Sequence, residues 1–463
     1  MNKQPNIIIC SCDQLRSFEI GCYGSPVMRT FHMDRLAAEG VRFEVACSNN
    51  PLCTPSRSNL LSGQYSRTCN GMTGNVGEPD PFRTRFPNPM LPEVLRQAGY
   101  ATALVGSWHV QPTPDLCGVD HFVMPMVSNK YSGQTYYCNS RNPFVTDGWS
   151  WDFEMNSARA WIASHRDRPF FLYFNIDPPH MPLGDAPEKY TTMYRPQDVL
   201  LRPNVHDVWF DRTNPIEKWP TEKWYRVYLG DDYYYKLCRP QTGKLPETFG
   251  LADLIALYCG MVMLVDDQLG KLMQTLQDAG IADNTIVVFT CDHGDNLGSH
   301  GLWNKLYLTE ESIRIPMIYW WPSAARPHVA GRQVTSRIDI MPTLLSLAGL
   351  PVPGYVQGTD VSPVIRGDAE TVGENAAFIE SIEGGFGIRT RDYVYGIKVK
   401  DVSLYGHKPE NDEIVDDRYL FCDLRTDPYE LNNLAKTDAQ RDVADDLRER
   451  VVRWHKTTPW LRV

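Results

Sequence analysis

Two short stretches of this chain set metal-binding side chains at the end of an apolar run. Residues 7–10 (Ile-Ile-Ile-Cys) lead into Ser11-Cys12-Asp13-Gln14, and residues 285–290 lead into Cys291-Asp292-His293-Gly294-Asp295. A short continuous apolar run is consistent with a buried strand. In open α/β sheets ligands gather beyond the carboxyl ends of such strands. Two strand ends, each offering an Asp and a second O or N donor, can share one hard divalent cation. The donors would be Asp13, Gln14, Asp292 and His293, a set that favours Ca²⁺, Mg²⁺ or Mn²⁺. Taken singly, either Asp would serve equally well as the cap of a following turn or helix. A third stretch, Asn50-Pro51-Leu52-Cys53-Thr54-Pro55-Ser56-Arg57 and on to Ser62-Gly63, crowds Cys, Pro, Ser and Arg together. On residue type alone its thiol reads as a buried cysteine in a turn.

The elements that must hold these residues can be read from periodicity. Residues 102–105, 170–174 and 317–320 are further apolar runs of strand length. Residues 90–99, 251–280 and 341–349 repeat apolar side chains at helical spacing and each ends at a Gly. Apolar strands alternating with helices predict an α/β fold with a mostly parallel sheet covered on both faces. Residues 183–250 depart from the pattern. Rich in Tyr, Trp, Pro and charge, they form an excursion that serves either as a substrate-facing lid or as a packing arm. From about residue 370 the character changes to short strands (377–380, 387–390, 393–398, 419–423) and a last helix (437–455). We therefore expect a catalytic α/β domain over 1–368 and a smaller C-terminal α+β subdomain over 369–463.

The segment around Cys53 is similar to the signature of the formylglycine-dependent sulfatases, C-x-P-S-R-x-x-x-L-x-G, and other segments extend the likeness. Asp13-Gln14 resembles the first metal ligands of that family. Gly106-Ser107-Trp108-His109 resembles G-K-W-H, and Pro179-His180-Met181-Pro182 resembles P-H-x-P. Asp292-His293-Gly294 with Leu297-Gly298-Ser299-His300 and Lys305 resembles D-H-G-x-x-L-G-x-H with its following lysine. Asp427-Pro428, Glu430 and Asn433-Leu434 resemble a C-terminal D-P-x-E-x-x-N-L. The resemblance implies an alkaline-phosphatase-like α/β sandwich with an antiparallel C-terminal sheet. It implies that Cys53 is oxidised to Cα-formylglycine by a maturation enzyme that recognises Cys53, Pro55 and Arg57. One hydroxyl of the aldehyde hydrate would attack the sulfur of a sulfate ester, and loss of the proton from the second would expel sulfate. Residue 53 would share the cation with Asp13, Gln14, Asp292 and His293, which would activate that hydroxyl. Arg57 and Lys305 would offset charge on the sulfuryl oxygens. His109 is implied as base, His180 with Lys305 as acid, and Asn75, by approximate spacing, as a further residue on the substrate side.

Two positions depart from the commonest pattern. Gln14 stands where many members have a second Asp, and Ser107 replaces the lysine of G-K-W-H. Both reduce local charge and keep open an alternative, a phosphonate monoester hydrolase or phosphodiesterase using the same nucleophile. A sulfate monoester on a small molecule or oligosaccharide, most simply a sulfated carbohydrate, is the leading substrate class. Arg16, His32 and Arg314 are other basic residues that could reach the site. The 463 residues include 46 basic and 56 acidic ones, a net charge of −10, which disfavours nucleic acid or an anionic membrane as a partner. No run of about 18 apolar residues suggests a transmembrane helix. Twelve cysteines without a C-x-x-C argue against a zinc ribbon and do not require a disulfide framework. Without a signal-peptide pattern after Met1 the expected location is the cytoplasm, or the periplasm or exterior if the natural chain starts earlier. Nothing in the sequence specifies an oligomeric state. Mass spectrometry of the peptide spanning Cys53, from cells that contain the maturation enzyme, should find the aldehyde form. Full activity in a preparation holding only cysteine at 53 would contradict it.

Overall fold

The computed structural model describes residues 4–70, 74–75, 85–126, 130–139, 142–206, 222–240, 242–382, 385–400 and 412–461. Among the described residues ten strands form the large sheet: β1 (Asn6–Asp13), β2 (Val41–Cys47), β3 (Ala101–Gly106), β4 (His121–Pro125), β5 (Thr135–Cys138), β6 (Phe144–Val145), β7 (Phe170–Pro179), β8 (Thr285–Cys291), β9 (Met317–Trp320) and β10 (His328–Ser336). Their order is β10-β2-β9-β8-β1-β7-β3-β4-β5-β6. β1, at the centre, is buried along its whole length and pairs in parallel with β7 and β8, as expected of a run apolar on both faces. The parallel block extends through β3 to β4, and β2 and β10 are parallel to each other. β9 runs antiparallel to both of its neighbours, and β5 and β6 are antiparallel as well. The sheet is thus mostly parallel, as expected, and β9 departs from the rule for a traceable reason. The chain leaves the carboxyl end of β8, makes one long loop and re-enters the sheet from the same end. That loop, residues 292–316, therefore lies where the other strands of the parallel block point.

The long helix Leu251–Asp278 and the helices Leu91–Gln97 and Ile340–Leu347 match the predicted positions to within two residues at either end. The helix Cys53–Ser62 was not legible from periodicity. Every one of its residues is buried, so it has no polar outer face to set against an apolar stripe. Its hydroxyls are satisfied within the protein: Ser58 and Ser62 donate to carbonyls one turn back at 2.8 and 2.6 Å, and Ser56 donates to the Asp292 carbonyl at 2.6 Å. Pro55 sits in the first turn, where a backbone N–H would lack an intrahelical partner.

A second sheet holds β11 (Ala377–Ser381), β12 (Gly385–Arg389), β13 (Tyr393–Val399) and β14 (Ile414–Asp423), antiparallel in chain order. The helix Arg441–Thr457 covers it through Leu447, Val451 and Trp454, whose ring stacks on Phe378 at 5.2 Å. Arg67, from the large body, is buried against Trp454 and Phe386 and pairs with the buried Glu380 of β11. All twelve cysteines are free. Among the described residues no helix is long and apolar enough to cross a membrane. Within the excursion, the helix Glu222–Leu229 is tied to the chain after β7 by Leu183 N–H to Tyr228 O at 2.7 Å. Residues 207–221 and 241 of the excursion lie outside the described residues.

Gly106 ends β3 beside Asn175 of β7, with φ at +99°, and a Cβ there would lie 1.8 Å from the Asn175 carbonyl oxygen. Strain and collision act together at the residue that launches Ser107 and His109. Gly106→Ala should lower stability by at least about 2–3 kcal/mol, read as a fall in the urea midpoint. An unchanged midpoint would show that β3 and β7 part freely at this point.

Candidate active site

Three strand ends and one helix start line a cleft of about 320 Å³; Asp292 and His293 from a fourth strand end, and Gln14, do not line it but contact Arg57, Cys53 and Lys305, which do. β1 delivers Asp13 and Gln14, and β8 delivers Asp292 and His293. β3 leads to Ser107 and His109, and β7 carries Asp177 and leads to His180. Cys53 opens the helix Cys53–Ser62, and Lys305 comes from the loop after β8. The Cys53 thiol, which marks where the oxygens of a formylglycine hydrate would begin, lies 3.2 Å from His293 Nε2, 3.2 Å from Lys305 Nζ and 3.9 Å from Asp13 Oδ1.

The four residues Asp13, Cys53, Asp292 and His293 are buried, and each offers an atom within 4.8 Å of the others. That spread suits ligands on opposite sides of one ion, at bond lengths of roughly 2.4 Å. His293 Nδ1–H donates to the Gly294 carbonyl at 3.0 Å, which leaves Nε2 with a lone pair facing Asp13 and Asp292, each at 3.6 Å. Burial lowers the His293 pKa to about 4, so the ring is neutral at pH 7. Gln14 Oε1 accepts from Lys305 Nζ at 3.0 Å beside this cluster. Two carboxylates, a neutral imidazole and an amide oxygen fit a divalent cation.

Arg57 is 1% exposed, and each of its three nitrogens is engaged by the protein. Nη2 donates to Asp13 Oδ2 at 2.7 Å, Nε to Asp292 Oδ2 at 3.4 Å and Nη1 to the Ser107 carbonyl at 2.8 Å. Burial opposes its charge, but Asp13 and Asp292 outweigh burial and hold its pKa well above the ordinary value. The same balance keeps Lys305 charged: burial works against it, and Cys53, Asp13 and Asp292 raise it. Among the described residues lining the cleft, these two are the only Lys or Arg.

His109 and His180 both line the cleft, and both are lowered to about 4, first by burial and then by Arg57 and Lys305 respectively. His180 Nδ1–H donates to the Met181 carbonyl at 2.8 Å, so its neutral ring presents a lone pair at Nε2. Asn75 lines the cleft, but its Oδ1 accepts the Thr54 N–H at 3.1 Å and so caps the first turn of the helix that starts at Cys53. Arg16, His32 and Arg314 do not line the cleft. Arg16 lies 3.7 Å from Glu19, His32 packs on Gly270, and Arg314 binds Glu44 at 3.1 Å.

Residues 5–350 match the family model described as Sulfatase, three quarters of the chain, and residues 298–457 match the one described as N-sulphoglucosamine sulphohydrolase, C-terminal. The chain belongs to the sulfatase family. It is a sulfuric ester hydrolase with the alkaline-phosphatase-like architecture expected of that family. An N-acetylglucosamine-6-O-sulfatase of Bacteroides thetaiotaomicron is 28% identical, over 93% of this chain and 83% of the relative. An ulvan-active sulfatase of Formosa agariphila is also 28% identical, over 93% and 77%. The crystal structure of a Bacteroides fragilis sulfatase, yidJ, superposes with a TM-score of 0.77 at 25% identity, covering 98% of this chain and 96% of that one. A phosphonate monoester hydrolase of Agrobacterium radiobacter shares the fold, with a TM-score of 0.67 at 22% identity over 98% and 96%.

Two acidic residues, one in the cleft and one behind Gln14, escaped the sequence reading. Asp177 lines the cleft together with Ser107, and burial raises its pKa to about 6. The stretch Asp177-Pro178-Pro179-His180 held the signal, an acid at the end of an apolar run just before the histidine. The second is Asp295, wholly buried behind Gln14, which carried no spacing that would single it out. Within the family site Arg57 binds two buried carboxylates at once. Arg57→Ala should therefore destabilise the metal-free protein by about 3–5 kcal/mol, with part of the loss recovered when excess Ca²⁺ is added. A loss under about 1 kcal/mol in chelator would show that Asp13 and Asp292 do not need it.

Proposed function

We propose that this sulfatase hydrolyses a sulfate monoester of a carbohydrate, with residue 53, oxidised to formylglycine, as its nucleophilic centre. One observation carries the assignment of the centre. The Cys53 thiol is equidistant, at 3.2 Å, from a lysine ammonium and from the lone-pair nitrogen of an imidazole set among two aspartates. The carbohydrate follows from the relatives named for N-acetylglucosamine-6-sulfate and for ulvan. Hydrated formylglycine would supply one hydroxyl to bond to sulfur and a second whose deprotonation releases sulfate. A divalent cation held by Asp13, Gln14, Asp292, His293 and residue 53, Ca²⁺ before Mg²⁺ or Mn²⁺, would lower the pKa of the attacking hydroxyl and polarise a sulfuryl oxygen.

The chain's own groups divide the remaining work. Lys305 stays an ammonium and meets negative charge as it builds on the sulfuryl and leaving oxygens. Arg57 keeps Asp13 and Asp292 apart and oriented, so its influence on substrate passes through them. His109, neutral at pH 7, is ready to accept the proton of the second hydroxyl. His180 rests with an unprotonated Nε2. It serves as acid only after the negative charge of a bound sulfate ester has raised its proton affinity, so Lys305 is the donor already loaded. The maturation enzyme is part of the same proposal, since the nucleophile does not exist without it.

Matured enzyme should release sulfate from a sulfated N-acetylhexosamine in a panel that also contains an aryl sulfate and a phosphonate monoester. Turnover of the phosphonate ester alone would overturn the sulfate assignment. Lys305→Ala should lower kcat by a hundredfold or more, about 3–4 kcal/mol, because its contact strengthens as the S–O bond breaks. An unchanged kcat would remove Lys305 from the reaction.

A further inference from the structure

A carboxylate has two equivalent oxygens and can face a cation either way round. The amide of Gln14 cannot: one orientation offers oxygen, and the other turns an NH₂ group toward the ion. Two charged neighbours select the orientation. Gln14 Nε2 donates to Asp295 Oδ2 at 2.5 Å, and Gln14 Oε1 accepts from Lys305 Nζ at 3.0 Å. A flipped amide would set its oxygen against a carboxylate and its NH₂ against an ammonium.

Asp295 is itself immobilised. Its side chain is wholly buried, Oδ1 accepts the Leu297 N–H at 2.9 Å, and the Tyr228 hydroxyl lies 2.8 and 2.9 Å from its two oxygens. Tyr228 comes from the helix Glu222–Leu229 of the excursion, and its hydroxyl oxygen also accepts the N–H of Asn304, next to Lys305, at 2.8 Å. The backbone of Gln14 is held just as firmly. Its φ is +66°, in the left-handed region, its carbonyl accepts from the Tyr258 hydroxyl at 2.7 Å, and its N–H donates to Asp292 Oδ1 at 3.1 Å. Neither the side chain nor the main chain of Gln14 has freedom to turn.

We propose that Asp295, held by Tyr228, is the positioning residue that makes Gln14 a ligand for the divalent cation. It locks the amide with Oε1 facing the site, and it sets the negative charge that an amide lacks one side chain further from the ion. The inference rests on the reading of Asp13, Gln14, Asp292 and His293 as the metal site. Outer partners that orient a metal ligand typically contribute about 10–100-fold to metal affinity.

The experiment is calorimetric titration of metal-stripped full-length protein with Ca²⁺, Mg²⁺ and Mn²⁺, alongside thermal unfolding in chelator. Asp295→Asn should weaken binding of the preferred cation by about 10–100-fold, with little change in the unfolding temperature of the metal-free protein. Gln14→Asp alone should weaken it too, because a second carboxylate would then face Asp295. Gln14→Asp combined with Asp295→Asn should recover most of the affinity, since an aspartate at 14 accepts from an asparagine at 295. That reciprocal rescue is not expected of a residue that only packs. Wild-type affinity in Asp295→Asn, or a double variant no better than the weaker single one, would overturn the proposal. Should Asp295→Asn fail to fold, Tyr228→Phe takes its place. It removes one hydrogen bond from Asp295, and binding weakened severalfold supports the proposal while unchanged binding overturns it. A wild-type protein that binds none of the three cations would overturn the metal-site reading, and the proposal with it.

Discussion

The structure depends on holding two carboxylates side by side inside a protein. Cys12 of β1 and Cys291 of β8 are register partners in adjacent parallel strands, and the next residue on each chain is an aspartate. Asp13 and Asp292 thus leave the sheet together, both buried, where unpaired charge is costly. Arg57 reaches both at once, and it can do so because it projects from a helix with no solvent face. The helix start, the two strand ends and the β3 turn are therefore one electrostatic unit. The guanidinium also grips the Ser107 carbonyl, which couples the strand that carries His109 to the same centre. A cation between the carboxylates completes a charge balance the protein has already begun.

The two departures from the family pattern both sit beside this electrostatic unit. Ser107 removes a cation from the cleft wall, and Asp177 lines the same cleft. That leaves Lys305 and Arg57 as the basic Lys or Arg groups among the described lining residues. Gln14 removes a negative charge from the buried cluster, and the carboxylate of Asp295 stands immediately behind it.

The parts of this design that were legible from sequence are those with a one-dimensional signature. Asp13 and Asp292 stood at the ends of apolar runs, and the helix Leu251–Asp278 repeated its apolar residues over almost its full length. The motif around Cys53 singled out the residue that the structure sets among Asp13, Asp292, His293 and Lys305, yet the helix it belongs to was invisible, because a helix buried on all sides has no periodic contrast. β9 could not be assigned a direction, since a run of four apolar residues reads the same either way. Asp295 and Tyr228 lie 67 residues apart and meet only through folding. Asn75 was found by spacing, but its contact is with the backbone of Thr54, a relation spacing does not encode.

The complete burial of the helix Cys53–Ser62 sets an order of events in the life of the molecule. Cys53 is 3% exposed, Arg57 is 1% exposed, and Pro55 is buried between them. An enzyme that reads these three side chains in sequence needs them in an extended, accessible strip of chain. Once the helix has wound and docked against the ends of β1 and β8, that strip no longer exists. On the proposal that Cys53 is oxidised by a separate enzyme, maturation and folding would compete for the same ten residues, and a chain that folded first would be a well-formed protein without its nucleophile. In such a molecule speed of folding would be a liability, and the yield of active enzyme would be set by kinetics.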